Sequence, residues 1–117
     1  MRLAIGSDER VHLTESVVED VERRGHEVEL FGHLADRKEY WPAVAQQVAE
    51  RVAAGGVDEG ILFCWTGTGV SLAANKVPGI RAALCDDAEI ARGARLWNNA
   101  NILCISIRRI SEVVAKE

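Results

Sequence analysis

Apolar residues fall along this chain in two rhythms. Four short runs, RLAIG (2–6), GILFC (60–64), RAALC (81–85) and NILCIS (101–106), do not alternate, which predicts strands buried on both faces. A fifth run, EVELFG (27–32), alternates apolar with charged residues and predicts a strand nearer a sheet edge. Between these runs the period lengthens. In HLTESVVEDVERRG, Leu13, Val17, Val18 and Val21 share one helical face, and Gly25 ends it. In WPAVAQQVAERVAAGG, Pro42 opens a helix, Val44, Val48 and Val52 turn inward, and Gly55–Gly56 close it. VSLAANK predicts a short helix beginning near Val70 and ending before Pro78. DDAEIARGARLWNN predicts a longer one, whose two leading aspartates suit the helix dipole. The final SEVVAKE is too short for its period to decide anything.

Strands interleaved with helices predict a parallel sheet covered on both sides. With right-handed crossovers this becomes a doubly wound, five-stranded, three-layer α/β/α sandwich. At 117 residues, without repeat or linker, the expectation is one domain over 1–117. Ligands of such sheets collect at the carboxyl ends of the strands. Those ends carry Gly6-Ser7-Asp8-Glu9-Arg10, Gly32-His33, Cys64 to Gly69, Asp86-Asp87, and Ser106 to Arg109.

Composition narrows the function classes. A net charge of -4 argues against a nucleic-acid surface, and no run of about 18 apolar residues exists to span a membrane. The chain enters its first strand at once, so no signal peptide is expected. Cys64, Cys85 and Cys104 lack the C-x-x-C spacing of a zinc or redox site and fall in apolar runs. The expectation is reduced thiols in the cytoplasm.

The stretch CWTGTGVSLAANK (64–76) concentrates the candidate chemistry. Gly67 and Gly69 let backbone N–H groups approach a ligand, and the helix start adds partial positive charge. Phosphate, or an oxygen that becomes negative during reaction, fits such a place. The loop is neither a Walker A motif nor a dinucleotide fingerprint, since Leu72 stands where the last glycine would be. Taken alone, Gly-x-Gly after a strand is more often a plain tight turn than a ligand loop. Cys64 precedes the helix start, where a thiolate is stabilised. A thiolate there can remove a proton alpha to a carbonyl while amides hold the enediolate. The plain alternative is a packed core thiol, the reading given outright to Cys85 and Cys104. Asp8 suits sugar hydroxyls or a helix cap. Asn75, Asn98, Asn99 and Asn101 suit an oxygen ligand or turns. Arg81 suits a surface carboxylate, and Arg108 with Arg109 an anion or a solvated helix start.

GSD (6–8), EY (39–40), GILFCWTGTGVSLAANKVPGIRAALCDD (60–87) and NNANIL (98–103) resemble the type B ribose-5-phosphate isomerase and galactose-6-phosphate isomerase family, from the first strand to about Arg109. The resemblance implies a flavodoxin-like fold and aldose–ketose isomerisation through an enediolate without metal or cofactor. It also implies a homodimer or dimer of dimers with active sites between subunits. Cys64 would be the base moving a proton between C1 and C2. The amides of Gly67, Thr68, Gly69, Val70 and Ser71 would hold the enediolate, helped by Asn98 beside Asn99. Thr66 and Asp8 would contact substrate oxygens, Tyr40 would line the pocket, and Arg108 would face an anion.

Four departures from the family pattern stand out. Glu9, followed by Arg10, replaces a phosphate-facing histidine, and Trp65 replaces the glycine after the cysteine, narrowing or covering the pocket. Trp97 replaces the histidine that opens the sugar ring; indole cannot relay a proton. The chain stops at Glu117, where relatives usually continue into a longer helix with phosphate-binding arginines. Ring opening and phosphate capture are affected, while the enediolate machinery is kept. The expectation is therefore an isomerase with an atypical small sugar or sugar phosphate. The alternative is a non-catalytic or accessory member that binds a sugar or forms half of a mixed oligomer. A third reading keeps ribose 5-phosphate, with His12 or His33 replacing the lost groups.

Overall fold

The computed structural model describes all 117 residues. In chain order they form β1 (Arg2–Ser7), α1 (His12–Arg23), β2 (Glu27–Gly32), a 3-10 turn (His33–Ala35), α2 (Trp41–Ala53), β3 (Glu59–Cys64), α3 (Thr68–Ala74), β4 (Ala82–Leu84), α4 (Ala88–Asn98), β5 (Ile102–Ser106) and α5 (Glu112–Lys116). Every strand pairing is parallel. The flavodoxin-like, doubly wound sandwich is thus present, with α2 and α3 on one face and α1 and α5 on the other.

The strand order is β2-β1-β3-β5-β4, so β5 enters between β3 and β4. The flavodoxin order runs 2-1-3-4-5, and the last two strands have changed places. This corrects one expectation from the sequence. The RAALC run does not become a strand buried on both faces: only Ala82–Leu84 is extended, at a sheet edge, and Leu84 is exposed. β2 occupies the other edge, as its alternation predicts. The transposition also sets β5 beside β3, with Cys64 opposite Ser106.

Two glycines decide where α2 lies. A Cβ on Gly6 would stand 2.7 Å from Val44 and 2.9 Å from Val48; on Gly60, 2.9 Å from Val48. Their bare backbones let Val44 and Val48 reach the sheet and become fully buried, each such burial being worth about 1.5–3 kcal/mol. The opposite face packs Leu3, Ile5, Phe63 and Ile105 against Leu13, Val17 and Leu34. α5 docks on α1 through His12–Glu112 at 2.6 Å and a bond from Arg24 to the Lys116 carbonyl. No helix is long and apolar enough to cross a membrane.

Candidate active site

The β3–α3 turn is built around its sulfur. Gly67 takes φ +79°, and the turn it makes aims its own N–H at Cys64 Sγ, 3.2 Å away. A side chain on Gly67 would meet Leu84 at 2.5 Å. α3 begins at Thr68, two residues earlier than its apolar period suggests, because Gly67 can cap it in the left-handed region. The N–H groups of Thr68, Gly69 and Val70 have no backbone acceptor. They are the orphan donors of a first helical turn. Thr66 and Thr68 bring their hydroxyls within 2.7 Å of each other at the exposed rim. Of the amides expected to hold an oxyanion, Gly67 is therefore committed to sulfur and Ser71 to the Gly67 carbonyl, leaving three free. The Val70 side chain is entirely in the core, and the Ser71 hydroxyl turns inward to Cys104.

Cys64 is 5% exposed and packs in the core cluster under α2 and α3. Beside it, Trp65 (53% exposed), Thr66, Ser106, Arg108 and Arg109 outline an open cleft of about 710 Å³ that Cys64 itself does not line. The cleft exists because the β5 tip is tied to the β3 tip. Ile107 N–H donates to the Cys64 carbonyl, while Arg108 N–H and the Ser106 hydroxyl donate to that of Trp65. Arg109 pairs with Asp86 at 3.1 Å, and the Arg108 side chain has no partner. Neither arginine belongs to a helix start; α5 opens later, capped by Ser111.

Asp8 follows β1, one strand from Cys64. It caps no helix, since α1 starts at His12 with Val11 before it. One carboxylate oxygen is buried without a donor. Burial pushes the Asp8 carboxyl up, against a smaller lowering by its own backbone N–H and by nearby His33. Glu9 donates its N–H to the Ser7 hydroxyl. Arg10 does not offset its charge, being held by Asp36 (3.1 Å), Glu15 and the Leu34 carbonyl. His12 is likewise spoken for by Glu112 on the surface, so of the two histidines only His33 stands near Asp8.

Tyr40 is exposed at the start of α2. The neighbouring Trp41 makes the contact the sequence reading missed: its ring covers Gly69, where a Cβ would stand 3.0 Å from it. A tryptophan just before Pro42 at a predicted helix start was the only signal in the sequence.

Trp97 and Asn98 are not at this end. α4 begins at the carboxyl end of β4 and returns to the amino end of β5. Its last residue, Asn98, gives its carbonyl to Arg81, just ahead of β4. Eleven helical residues span about 16 Å, so within one chain Asn98 and Cys64 are at opposite ends of the sheet. Trp97 lies over Gly93 and is 79% exposed. Asn99 is the left-handed helix cap at φ 51°. Asn75, bonded to Ala82 N–H and carbonyl, and Asn101, bonded to Arg81 N–H and the Gly79 carbonyl, brace the β4 approach. These two are turn residues. Cys104 is pushed up to about 12 by burial and by the neighbouring Cys64 and Cys85 sulfurs, and Cys85 is raised by burial and by Asp86 and Asp87. Both are packed thiols. No group of three or more His, Cys, Asp or Glu side chains is placed to hold a metal ion.

Comparison with known proteins matches residues 3–117 to the family model described as Ribose/Galactose Isomerase. The chain belongs to this isomerase family. It is 40% identical over 104 residues to ribose-5-phosphate isomerase B of Escherichia coli K12, covering 89% of this chain and 70% of that one. It is 34% identical to D-erythrulose-4-phosphate isomerase of Pectobacterium atrosepticum, over 100% of this chain and 78% of the other. Among solved structures, ribose-5-phosphate isomerase B of Clostridium thermocellum superposes with a TM-score of 0.90 at 41% identity, covering 98% of this chain and 78% of that one.

Proposed function

We propose that this protein is an aldose–ketose isomerase for a small sugar phosphate, working through a cis-enediolate. The observation that carries the reading is Cys64 beneath a helix start with three unbonded N–H groups. As thiolate, Cys64 takes the proton from C2 of the open-chain aldose. The C–H electrons form the C1–C2 double bond, and the carbonyl oxygen becomes negative. The N–H groups of Thr68, Gly69 and Val70 receive that oxygen. The thiol then returns the proton to C1, giving the ketose, while a proton passes between the two oxygens. For the sulfur to meet a carbon, the Trp65–Gly67 loop moves off it; Trp65, bare on its outer side, becomes the lid over bound sugar. Thr66 and Asp8 contact substrate oxygens, and Tyr40 with Trp41 walls the pocket.

The site is completed by a second copy of the chain. Asn98 stands a full helix length from Cys64, and an exposed apolar face of Leu84, Ile90 and Trp97 runs along β4 and α4 towards it. A two-fold pair of chains that buried this face would bring one chain's Asn98 and Trp97 towards its partner's Cys64. With tryptophan at position 97 this site has no ring-opening relay, which favours a substrate already in the open form, as in a four-carbon sugar phosphate. Incubation with four-, five- and six-carbon sugar phosphates in deuterated water tests the assignment. Deuterium should enter at C2 of at least one substrate and be lost in Cys64→Ala. Incorporation that survives in Cys64→Ala would remove the thiol from the chemistry.

A further inference from the structure

The turn after β3 covers the Cys64 sulfur, and a single side chain from β5 reaches across to hold that turn. Ser106 is the last residue of β5, stands directly opposite Cys64 and is 5% exposed. Its hydroxyl donates to the Trp65 carbonyl at 3.0 Å and accepts from the Arg109 N–H at 3.2 Å. A serine hydroxyl can do both at once. Two backbone bonds run beside it, from Ile107 N–H to the Cys64 carbonyl at 3.0 Å and from Arg108 N–H to the Trp65 carbonyl at 2.9 Å. Both peptide units that flank Trp65 are thus tied to the β5 tip. Gly67 then lies flat on the same strand, its Cβ position 3.1 Å from Ser106 N and 3.2 Å from the Ile105 carbonyl carbon. From there its N–H meets Cys64 Sγ at 3.2 Å. The bonds from Arg109 N–H to the hydroxyl and from the hydroxyl to Trp65 point the same way, so each polarises the other.

We propose that Ser106 is a positioning residue, whose hydroxyl latches the Trp65 turn over the Cys64 sulfur and so sets how often the thiol is presented to substrate. The Trp65 ring does not supply this hold, since it is 53% exposed. The latch can be removed without orphaning a buried group. In a chain lacking the hydroxyl, the Trp65 carbonyl keeps the Arg108 N–H, and the Arg109 N–H keeps the Ser106 carbonyl at 3.3 Å. What is lost is one hydrogen bond between β5 and the turn, and the net worth of one such bond shifts an opening equilibrium by about two- to tenfold. The consequence for turnover rests on the isomerase reading; the latch itself is a property of the turn.

Alkylation of the full chain by iodoacetamide, with each cysteine followed separately by mass spectrometry, tests the latch without recourse to turnover. Cys104 is the internal control, because it lies in the same core cluster as Cys64 and is wholly buried. Ser106→Ala should speed modification of Cys64 by about two- to tenfold and leave that of Cys104 unchanged. Ser106→Thr, which keeps the hydroxyl, should react as the unaltered chain does. An equal acceleration at Cys64 and Cys104 would mean that the whole core had loosened, and it would overturn the proposal. So would an unchanged Cys64 rate in Ser106→Ala, or a Ser106→Thr variant that behaves like Ser106→Ala. If the rates follow expectation and no sugar exchanges deuterium, the latch stands and the isomerase assignment fails.

Discussion

Asp8 illustrates how a single side chain trades stability for a site. Burial raises its carboxyl, so folding favours the protonated form. That contribution is present below the ordinary value of 3.8 and is lost as pH rises through the higher folded value. At neutral pH the ionised Asp8 is therefore a cost. Asp8→Asn is expected to raise Tm at pH 7, the gain fading on acidification, while sugar binding weakens; an equal Tm gain at pH 3 and pH 7 would contradict this. Gly67 is the second such residue, since its positive φ and its 2.5 Å approach to Leu84 both exclude a side chain. Gly67→Ala should abolish deuterium exchange while far-UV circular dichroism shows the sheet intact.

Among the elements, α2 depends on glycine in the strands beneath it. Gly60→Ala sets a methyl 2.9 Å from Val48 and 3.3 Å from both Val52 and Ile102. It should lower stability by about 1–3 kcal/mol, read as a lower urea midpoint with unchanged slope. α5 is held by charge as well as by the apolar contact of Ala115. Glu112 is lowered to about 2, first by Lys116 and then by Ser16 and His12. A lowered folded value means that the stabilisation from ionised Glu112, within α5 through Lys116 and across to α1 through Ser16 and His12, is fully present above about pH 4.5 and lost as pH falls towards 2. The methyl resonances of Val113 and Val114 should therefore shift in acid, while those of Val44 and Val48 stay put. A simultaneous loss of all four would show that α5 does not release on its own.

For the whole molecule, the separation of Asn98 from Cys64 makes a quantitative demand. If each site takes its thiol from one chain and its asparagine from another, Cys64→Ala and Asn98→Ala are each inactive alone. Mixed and allowed to exchange subunits, they should recover about a quarter of the unaltered activity, because half the pairs are mixed and each has one complete site of two. No recovery, with mixed pairs demonstrated by mass spectrometry, would rule out a shared site. Leu84→Arg on the same apolar face should yield monomers and lose activity together with assembly, measured by sedimentation.

The alternation of apolar runs and helical periods was enough to read five strands, their parallel arrangement and the row of residues at their tips. Period and chain direction are local properties, and a parallel sheet sends every strand end to one side. Membership of the isomerase family was legible for the same reason, in a contiguous stretch from Gly60 to Asp87. The sequence left undecided which neighbours those tips acquire. β5 enters beside β3 rather than beyond β4, which exposes Leu84 and brings Arg108 to Trp65, because strand order depends on which crossover packs best. Likewise, the resemblance assigns Asn98 to the same site as Cys64, yet within one chain it lies a helix length away in space. Tertiary structure alone settled which amide serves the sulfur, which arginine is unpaired and which carboxylate oxygens lack donors, since each depends on groups brought together from distant parts of the chain.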